Sequence, residues 1–515
     1  MCRKNKKRTF LQGILVAFMC LLVSPSGYAA GKKATTRPTK TGIQKLFPIF
    51  NKKIDAFFKK KKFAGLSVGF VVNQKLVYTR HLGHADLTSQ RKPNDHTLYR
   101  IGSITKVFTT TMLAQMRDKG LLRLDDPIHK YAPKGTRFPT APRGAKAITF
   151  RHLATHTSGL PRLPVNLKSK KGAPYNNYSA KALYKGLGFT LLNFPIGHTY
   201  MYSNLGMGLL GELLARQAKM GYEKALKKML LQPLTLNETS ITLSPKLKKQ
   251  LAVGYHRRGC YRSVPAWKLG VLNPAGGLVS SVHDMARFLA FQHRAGQRGV
   301  KVLSGGTLRE MHTVQRLLGN YRRGYWKGGI GLGWHILPIR KTKARVVFHN
   351  GGVAGFRSFA GFIPSLKMGI IVFVNCGKSG DKLGFSLLKT LAKKFWKKPT
   401  PTPTSRVIQI AHALRKQIKA NPDGKAIKAL FEPFFLRMIP LFKIRFLLGK
   451  LYFAHGPCNN WQLKPAKLSR GIWLHCKTKN NRTLRGIIVL KATTKGRIAM
   501  LRFFPVKKKK SKKKK

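Results

Sequence analysis

Apolar residues recur along this chain at two spacings, and the switches between them outline its elements. Leu66–Val72 and Leu76–Leu82 are apolar, β-prone runs, and the polar Asn73-Gln74-Lys75 between them predicts a β-hairpin near the N-terminus. From Ser103 the segment Ser-Ile-Thr-Lys-Val-Phe-Thr-Thr-Thr-Met-Leu-Ala-Gln-Met-Arg-Asp-Lys-Gly carries apolar residues at helical spacing and stops at Gly120. It predicts a helix that starts at or beside Ser103. Further helices are predicted over Met207–Ala218 and His283–Arg294, joined by loops rich in Pro and Gly. Strand character returns at Arg345–Phe348, Ser358–Ile363 and Met368–Val374. Strands that open and close a region with helices between them predict an α+β domain over residues 42–398.

The run Pro399-Thr-Pro-Thr-Pro-Thr404 then reads as a stiff, extended spacer over residues 399–404. Beyond it, helices over Val407–Leu430 and Pro433–Leu448 and strands at Gly471–His475, Leu484–Leu490 and Ile498–Phe503 predict a small second α+β domain, residues 405–506. That domain loosely resembles the cone-shaped NTF2/cystatin-like modules, without a motif that specifies a role.

At the N-terminus, Arg3, Lys4, Lys6, Lys7 and Arg8 precede an apolar run from Phe10 to Val23 and small residues up to Ala30, the layout of a secretory signal over residues 1–30. The run is shorter than the roughly 20 residues a membrane-spanning helix needs, so export with cleavage after Ala29 or Ala30 is expected over an uncleaved anchor. Residues 31–41, basic and without apolar period, read as a linker. Export to the periplasm or cell envelope would leave Cys260, Cys376, Cys458 and Cys476 where disulfides can form. Cys458 with Cys476 is the expected pair, because the two lie close in sequence within one domain.

Charge changes the picture of partners more than of fold. Lys+Arg number 100 against 14 Asp+Glu, a formal net charge of +86. Such a surface attracts anions such as lipid headgroups and wall polymers. The basic residues are spread along the whole chain instead of forming a stripe, so nucleic acid is not the expected partner. The tail Lys507–Lys515, broken only by Ser511, reads as a self-repelling segment that can act as an electrostatic anchor.

Candidate chemistry starts at Ser103-Ile104-Thr105-Lys106, where i to i+3 spacing places a hydroxyl and an amine on one helical face. A serine hydroxyl becomes a nucleophile only when a neighbour takes its proton, and a lysine one turn on can do so. The helix start adds backbone donors and a positive dipole end. Ser-x-x-Lys occurs by chance in any lysine-rich chain, so its company decides its weight. Tyr202-Ser203-Asn204 supplies a phenol and an amide before a helix, and His349-Asn350-Gly351-Gly352 follows a short strand. With Leu124-Asp-Asp-Pro127, His152-Leu-Ala-Thr-His-Thr-Ser-Gly-Leu160, Pro274-Ala-Gly-Gly-Leu278 and Asp284, these residues resemble the β-lactamase-related serine hydrolases, from about Phe63 to Phe373. That family includes class C β-lactamases, DD-peptidases, D-aminopeptidases and esterases.

The resemblance implies a β-lactamase/penicillin-binding-protein-like fold, an antiparallel sheet flanked by helices with a helical region. It implies that Ser103 attacks a carbonyl while Tyr202 and Lys106 shuttle its proton. A phenol serving as base near neutral pH has to be favoured in its ionised form by roughly 4 kcal/mol, which a close ammonium partly supplies. Asn204 would orient the substrate amide, and the backbone N–H groups of Ser103 and Gly352 would form the oxyanion hole beside Gly351. His349 stands where the relatives carry lysine, which favours an esterase or a D-specific peptidase over a true β-lactamase.

Two other patterns are discounted. Ser67 in Gly65-Leu-Ser-Val-Gly69 lies inside a strand instead of a strand-to-helix elbow, and Gly206-Met-Gly-Leu-Leu-Gly211 has no preceding strand, so it reads as helix packing. His152 and His156 have helical metal spacing but no Glu between them, and neither a metal nor another cofactor is expected. The expected function is an exported acyl-enzyme hydrolase acting on a small-molecule substrate: a peptide, a β-lactam or an ester. The alternative is a catalytically silent envelope protein that binds anionic surfaces.

Overall fold

The computed structural model describes residues 39–396 except 140–146, 170–172, 176, 298–301, 319–327, 340–341 and 343, together with four strands between 460 and 505. The expected leader, most of the basic linker, the Pro/Thr spacer, the two C-terminal helices and the lysine tail lie outside the described residues. The chain divides into two compact units, Thr35–Lys398 and a second that holds the four C-terminal strands.

Strand β1 (Gly65–Val72) is buried at every position, which demands a layer on each face. It pairs with β2 (Lys75–Gly83) through a tight turn in which Asn73 takes φ 56°. A short ladder joins β3 (Tyr99–Arg100) to β4 (Val279–Ser280). The strands β5 (Arg316–Leu317), β6 (Gly329–Ile330), β7 (His335–Pro338), β8 (Arg345–Val353), β9 (Phe356–Ile363) and β10 (Met368–Val374) complete an eight-stranded sheet of order β2-β1-β10-β9-β8-β7-β6-β5. Its pairings are antiparallel, and β1 meets β10 in the register Leu66↔Val374 to Val72↔Met368. The first and last strands of the unit therefore lie side by side.

Alternation sorts the side chains onto two cores. Leu66, Val68 and Phe70 of β1 and Met368, Ile370, Val372 and Val374 of β10 pack with the helices Phe47–Lys61 and Asp381–Phe395. Val71, Ile371 and Phe373 turn to the opposite face, where the helices Thr105–Asp118, Asn204–Gln217 and Val282–Gln292 form the larger core. Each of those three helices matches its sequence-based expectation within a few residues, and Gly120 at φ 73° closes the first.

The Phe47–Lys61 and Asp381–Phe395 helices were not expected from the sequence. Lysines at 52, 53 and 59–61 mask an apolar stripe of Phe47, Phe50, Ile54, Phe57 and Phe58 at helical spacing. The two helices touch, with Lys53 Nζ 3.4 Å from Ser386 Oγ. The preceding short helix Lys40–Gln44 starts inside the expected linker, because the Thr39 side chain accepts from the Gly42 N–H at 3.1 Å and caps it. A Cβ placed on Gly42 would sit 3.7 Å from the Phe395 ring, so the two ends of the unit are neighbours.

The second unit contains an antiparallel meander of β11 (Asn460–Pro465), β12 (Gly471–Lys477), β13 (Thr483–Leu490) and β14 (Ile498–Pro505). Three of these strands coincide with expected ones, and β11 is additional.

The disulfide among the described residues joins Cys260 to Cys376, a bond not expected from the sequence; Cys458 of the expected Cys458–Cys476 pair lies outside the described residues. A loop returning from Leu251 brings the two cysteines together. Tyr255 N–H donates to Asn375 O at 2.9 Å and Gly377 N–H to Tyr255 O at 3.1 Å, setting the Cα atoms 5.4 Å apart across 116 residues. Closing so long a loop restricts the unfolded chain strongly. Replacing both cysteines with serine is expected to lower the unfolding free energy by about 2–5 kcal/mol, read from denaturant midpoints. An unchanged midpoint would show that the bond contributes nothing.

Candidate active site

Ser103 sits on a single 3-10 turn, Gly102–Ile104, that runs into the Thr105–Asp118 helix. The turn works only because Gly102 takes φ 52° and presses against β8: a Cβ there would come 2.6 Å from Gly352 N. Gly351 is equally confined, since its Cβ would meet Ile101 O at 2.0 Å. Bare backbone therefore brings the expected oxyanion donors, the amides of Ser103 and Gly352, to one place, and both residues line the same cavity.

The Pro274–Leu278 segment holds the other side of this turn. Thr109 Oγ1 donates to Pro274 O at 2.8 Å, Lys106 Nζ to Ala275 O at 2.6 Å, and Leu278 N–H to Thr105 Oγ1 at 3.1 Å. Lys106 Nζ also lies 3.1 Å from Ser103 Oγ and 2.9 Å from Asn204 Oδ1. The Ala275 carbonyl is thus a site group that side-chain motifs alone do not reveal.

Tyr202 and Asn204 are set by the start of the Asn204–Gln217 helix. Ser203 caps it, accepting from Gly206 N–H at 2.8 Å and donating to Pro161 O at 2.6 Å. His156 anchors the same loop twice: its Nδ1 accepts from Ser203 N–H at 3.2 Å, and its carbonyl accepts from Met201 N–H at 2.7 Å. His152 instead closes a capping box with Thr149. Tyr202 and Ser103 border the same cavity, and Lys106 Nζ lies 4.7 Å from the Tyr202 ring centroid. Arg162 lies 5.2 Å from that centroid.

Burial dominates the electrostatics. Lys106 is fully buried, which holds its amine well below the ordinary 10.5, and the Arg162 charge pushes in the same direction. A neutral amine has two N–H groups and one lone pair. The two acceptor-only partners, Ala275 O and Asn204 Oδ1, take the donors, which leaves the lone pair for the Ser103 hydroxyl. Tyr202 moves opposite to the sequence-based expectation: burial raises its phenol above the usual 10, outweighing the lowering influence of the Ser103 hydroxyl and of the Arg162 charge. The amine lies over the ring, away from a geometry that would favour a phenolate.

His349 also differs from its expected place. It is 1% exposed, its Nδ1 donates to Asn350 O at 2.6 Å, and its ring packs 6.3 Å from Tyr202, behind the cavity wall. Burial holds it well below the ordinary 6.5, with His335 and Lys106 pushing the same way. His156 is lowered likewise, and His335 falls to about 4. Three uncharged imidazoles thus surround Tyr202.

The cavity itself, ≈ 570 Å³, is bordered by Ser103, Tyr202, Asn204, Gly351 and Gly352. Its fixed charges are Arg162, Arg357 and Asp381, none of which belongs to an expected catalytic motif. Asp381 Oδ2 accepts from Asn350 Nδ2 at 2.6 Å. Tyr175 and Trp267, rings 5.8 Å apart, form an aromatic wall from two long loops.

Buried neutral imidazoles also set the response to acid. Unfolded histidines gain protons near 6.5, whereas His335 and His293 do so only at about 4 and His312 at about 3. The unfolded state therefore binds more protons below 6.5, and stability falls as pH drops from there towards 4. Urea unfolding at pH 7, 5.5 and 4.5 is expected to show this decline, and equal free energies at the three values would contradict it.

Residues 50–386 match the family model described as Beta-lactamase. The chain is 30% identical over 378 residues to Beta-lactamase-like protein 2 of Dictyostelium discoideum, covering 71% of this chain and 66% of that protein. It is 27% identical over 340 residues to the D-alanyl-D-alanine-carboxypeptidase/endopeptidase AmpH of Escherichia coli K12, covering 63% and 83%. The crystal structure of a β-lactamase/D-alanine carboxypeptidase from Yersinia pestis, complexed with citrate, shares the fold at TM-score 0.56 and 24% identity, over 67% of this chain and 99% of that one. With a family match over most of the first unit and the Ser103 site assembled inside it, the chain belongs to the β-lactamase-related serine hydrolases.

Proposed function

We propose that this protein is an exported acyl-enzyme hydrolase that cleaves carboxylate-bearing D-peptides through Ser103. The observation that carries the reading is the buried Lys106 amine, held 3.1 Å from the Ser103 hydroxyl by its two acceptor partners. Lys106 takes the Ser103 proton as Oγ attacks the substrate carbonyl, and the resulting oxyanion is met by the Ser103 and Gly352 amides. The neutral Tyr202 hydroxyl relays that proton: it gives its own to the leaving amine or alkoxide and takes one from the Lys106 ammonium, so both groups are neutral again in the acyl-enzyme. Water then enters by the reverse route and releases the acid.

Substrate class follows from where the charges stand. His349 is buried and uncharged, so it offers no fixed cation to a substrate carboxylate, whereas Arg162 and Arg357 lie on the cavity wall. A peptide carboxylate next to the scissile bond fits that wall, in keeping with the D-alanyl-D-alanine activity named for the Escherichia coli relative. Esters are the second reading, favoured by the replacement of the relatives' lysine with His349. Export is supported by the leader-like N-terminus and by a disulfide, which persists in oxidising compartments. Contact with anionic envelope polymers is supported by the +86 charge and by a hollow lined by Lys60, Lys61, Arg257, Arg258 and Lys378.

Incubation with a fluorophosphonate or a fluorescent penicillin is expected to label the wild-type protein and not Ser103→Ala, with turnover falling about 10⁴-fold or more. Absence of label in the wild type would favour the silent binding protein. Among D-alanyl peptides, short-chain nitrophenyl esters and a chromogenic cephalosporin, the peptides should be cleaved best, and Arg357→Ala should raise their KM about 10–100-fold while sparing esters without a carboxylate. Arg162→Gln removes a cation beside Lys106 and lets its amine hold a proton to higher pH. The acid limb of kcat/KM should therefore move to higher pH, and a limb that stays in place or moves down would remove Lys106 as the base.

A further inference from the structure

Away from the catalytic cavity, three residues with no common sequence motif converge. His96 lies just before β3, Glu238 lies in a loop, and His283 lies in the first turn of the Val282–Gln292 helix. His96 Nδ1 is 2.7 Å from Glu238 Oε1, and His283 Nδ1 is 3.9 Å from Glu238 Oε2. The imidazole rings are 5.0 Å apart, and one donor atom from each of the three residues lies within 4.8 Å of the others. None of them lines the catalytic cavity.

The partners of Glu238 are unusual for this chain. With 100 Lys+Arg to 14 Asp+Glu, a carboxylate has abundant cations to draw on. Asp55 takes Arg80, Asp118 and Glu310 take Arg117, and Asp125 takes Arg151. Glu238, with a side chain only 17% exposed, is faced by two imidazoles, and its ion pairs among the described residues include no lysine or arginine. Its other oxygen accepts from Ser281 Oγ at 2.5 Å, and its backbone N–H donates to the buried Asp284 at 2.8 Å. Asp284 Oδ1 in turn lies 3.3 Å from His283 Nδ1. Next along the chain, Asp95 pairs with His81 at 2.7 Å and accepts the His283 N–H on its carbonyl at 3.1 Å. Three carboxylates and three imidazoles thus form an island of acceptor groups on a strongly cationic protein.

We propose that His96, Glu238 and His283 bind a divalent transition-metal cation, with zinc the best fit to the donors. Two imidazole nitrogens and one carboxylate oxygen are the protein set of many three-ligand zinc sites, with the fourth position open to water. Tetrahedral zinc needs its donors about 3.3 Å apart, which the half-exposed rings of His96 and His283 reach by small rotations. The cation replaces the protons otherwise needed to bridge two imidazoles to one carboxylate, and Asp284 orients the assembly from beneath. It would fasten together the segment before β3, the loop that pairs with β4, and the start of a core helix. This is the scaffold from which Leu278 O accepts the Ile101 N–H, directly behind the Ser103 turn.

The test uses the full-length, untagged protein stripped with a chelator. Co²⁺ titration is expected to give one saturable site per chain with visible absorption, reversed by Zn²⁺. Saturating zinc should raise the unfolding midpoint by about 3–4 °C. His96→Gln and Glu238→Gln should each weaken binding at least about tenfold and remove the thermal shift, while the control His129→Gln, exposed elsewhere, should change neither. The metal site is overturned if the wild type shows no saturable binding, if His96→Gln and Glu238→Gln bind as the wild type does, or if the control loses as much. Ser103 labelling is read on the same samples, so failure of metal binding and failure of the hydrolase reading are separate results.

Discussion

The site depends on keeping one amine out of water. A lysine held fully buried among a hydroxyl, an amide oxygen and a carbonyl is costly as an ammonium, and the cost favours its neutral amine. Much of the surrounding structure serves that arrangement. The Pro274–Leu278 segment presents a carbonyl at one corner, the capped start of the Asn204–Gln217 helix presents the amide at another, and the Gly102 turn sets the serine at the third. The Ser103 turn and the Pro274–Leu278 segment are also tied where Thr105 Oγ1 accepts from the Leu278 N–H and Thr109 Oγ1 donates to the Pro274 carbonyl, so their geometry does not rest on lysine alone.

The sequence reading succeeded where structure is local. The hairpin, the helix after Ser103 and the strand Met368–Val374 follow from period and turn residues, and Ser103, Lys106 and Tyr202, which the structure brings together, come from motifs that sit at element starts. It fell short where burial decides. Tyr202 and His349 were legible as residues of the site, but the direction in which burial moves the phenol, and the withdrawal of the imidazole behind the wall, depend on packing from distant strands. Arg162 and Arg357 carried no signal in a chain so rich in arginine and lysine. The same excess hid the Phe47–Lys61 helix, whose apolar stripe is interrupted by cations, and the nearness of Cys458 to Cys476 in sequence drew attention from a bond that spans 116 residues.

Charge is handled differently inside and outside this molecule. Among the described residues Lys106 is the one buried lysine or arginine, and the other groups packed around Tyr202 are imidazoles that burial keeps uncharged. Protonating any of them would place a cation beside Arg162 and beside an amine that burial already disfavours as an ammonium, in an environment that screens charge poorly. Histidine instead of lysine at position 349 is consistent with a site that already has all the positive charge it can hold. The few acids are mostly spent on specific partners, and Asp381 is the carboxylate left on the cavity wall among the described residues.

The closeness of Gly42 to Phe395 has a topological consequence. A unit whose first and last helices touch on one sheet face forms a nearly closed circuit of chain. Such a unit can be spliced between unrelated segments, or rejoined end to end and reopened at a surface loop, with little disturbance to the catalytic groups. Evolution or an engineer can therefore change what flanks the hydrolase without renegotiating its chemistry.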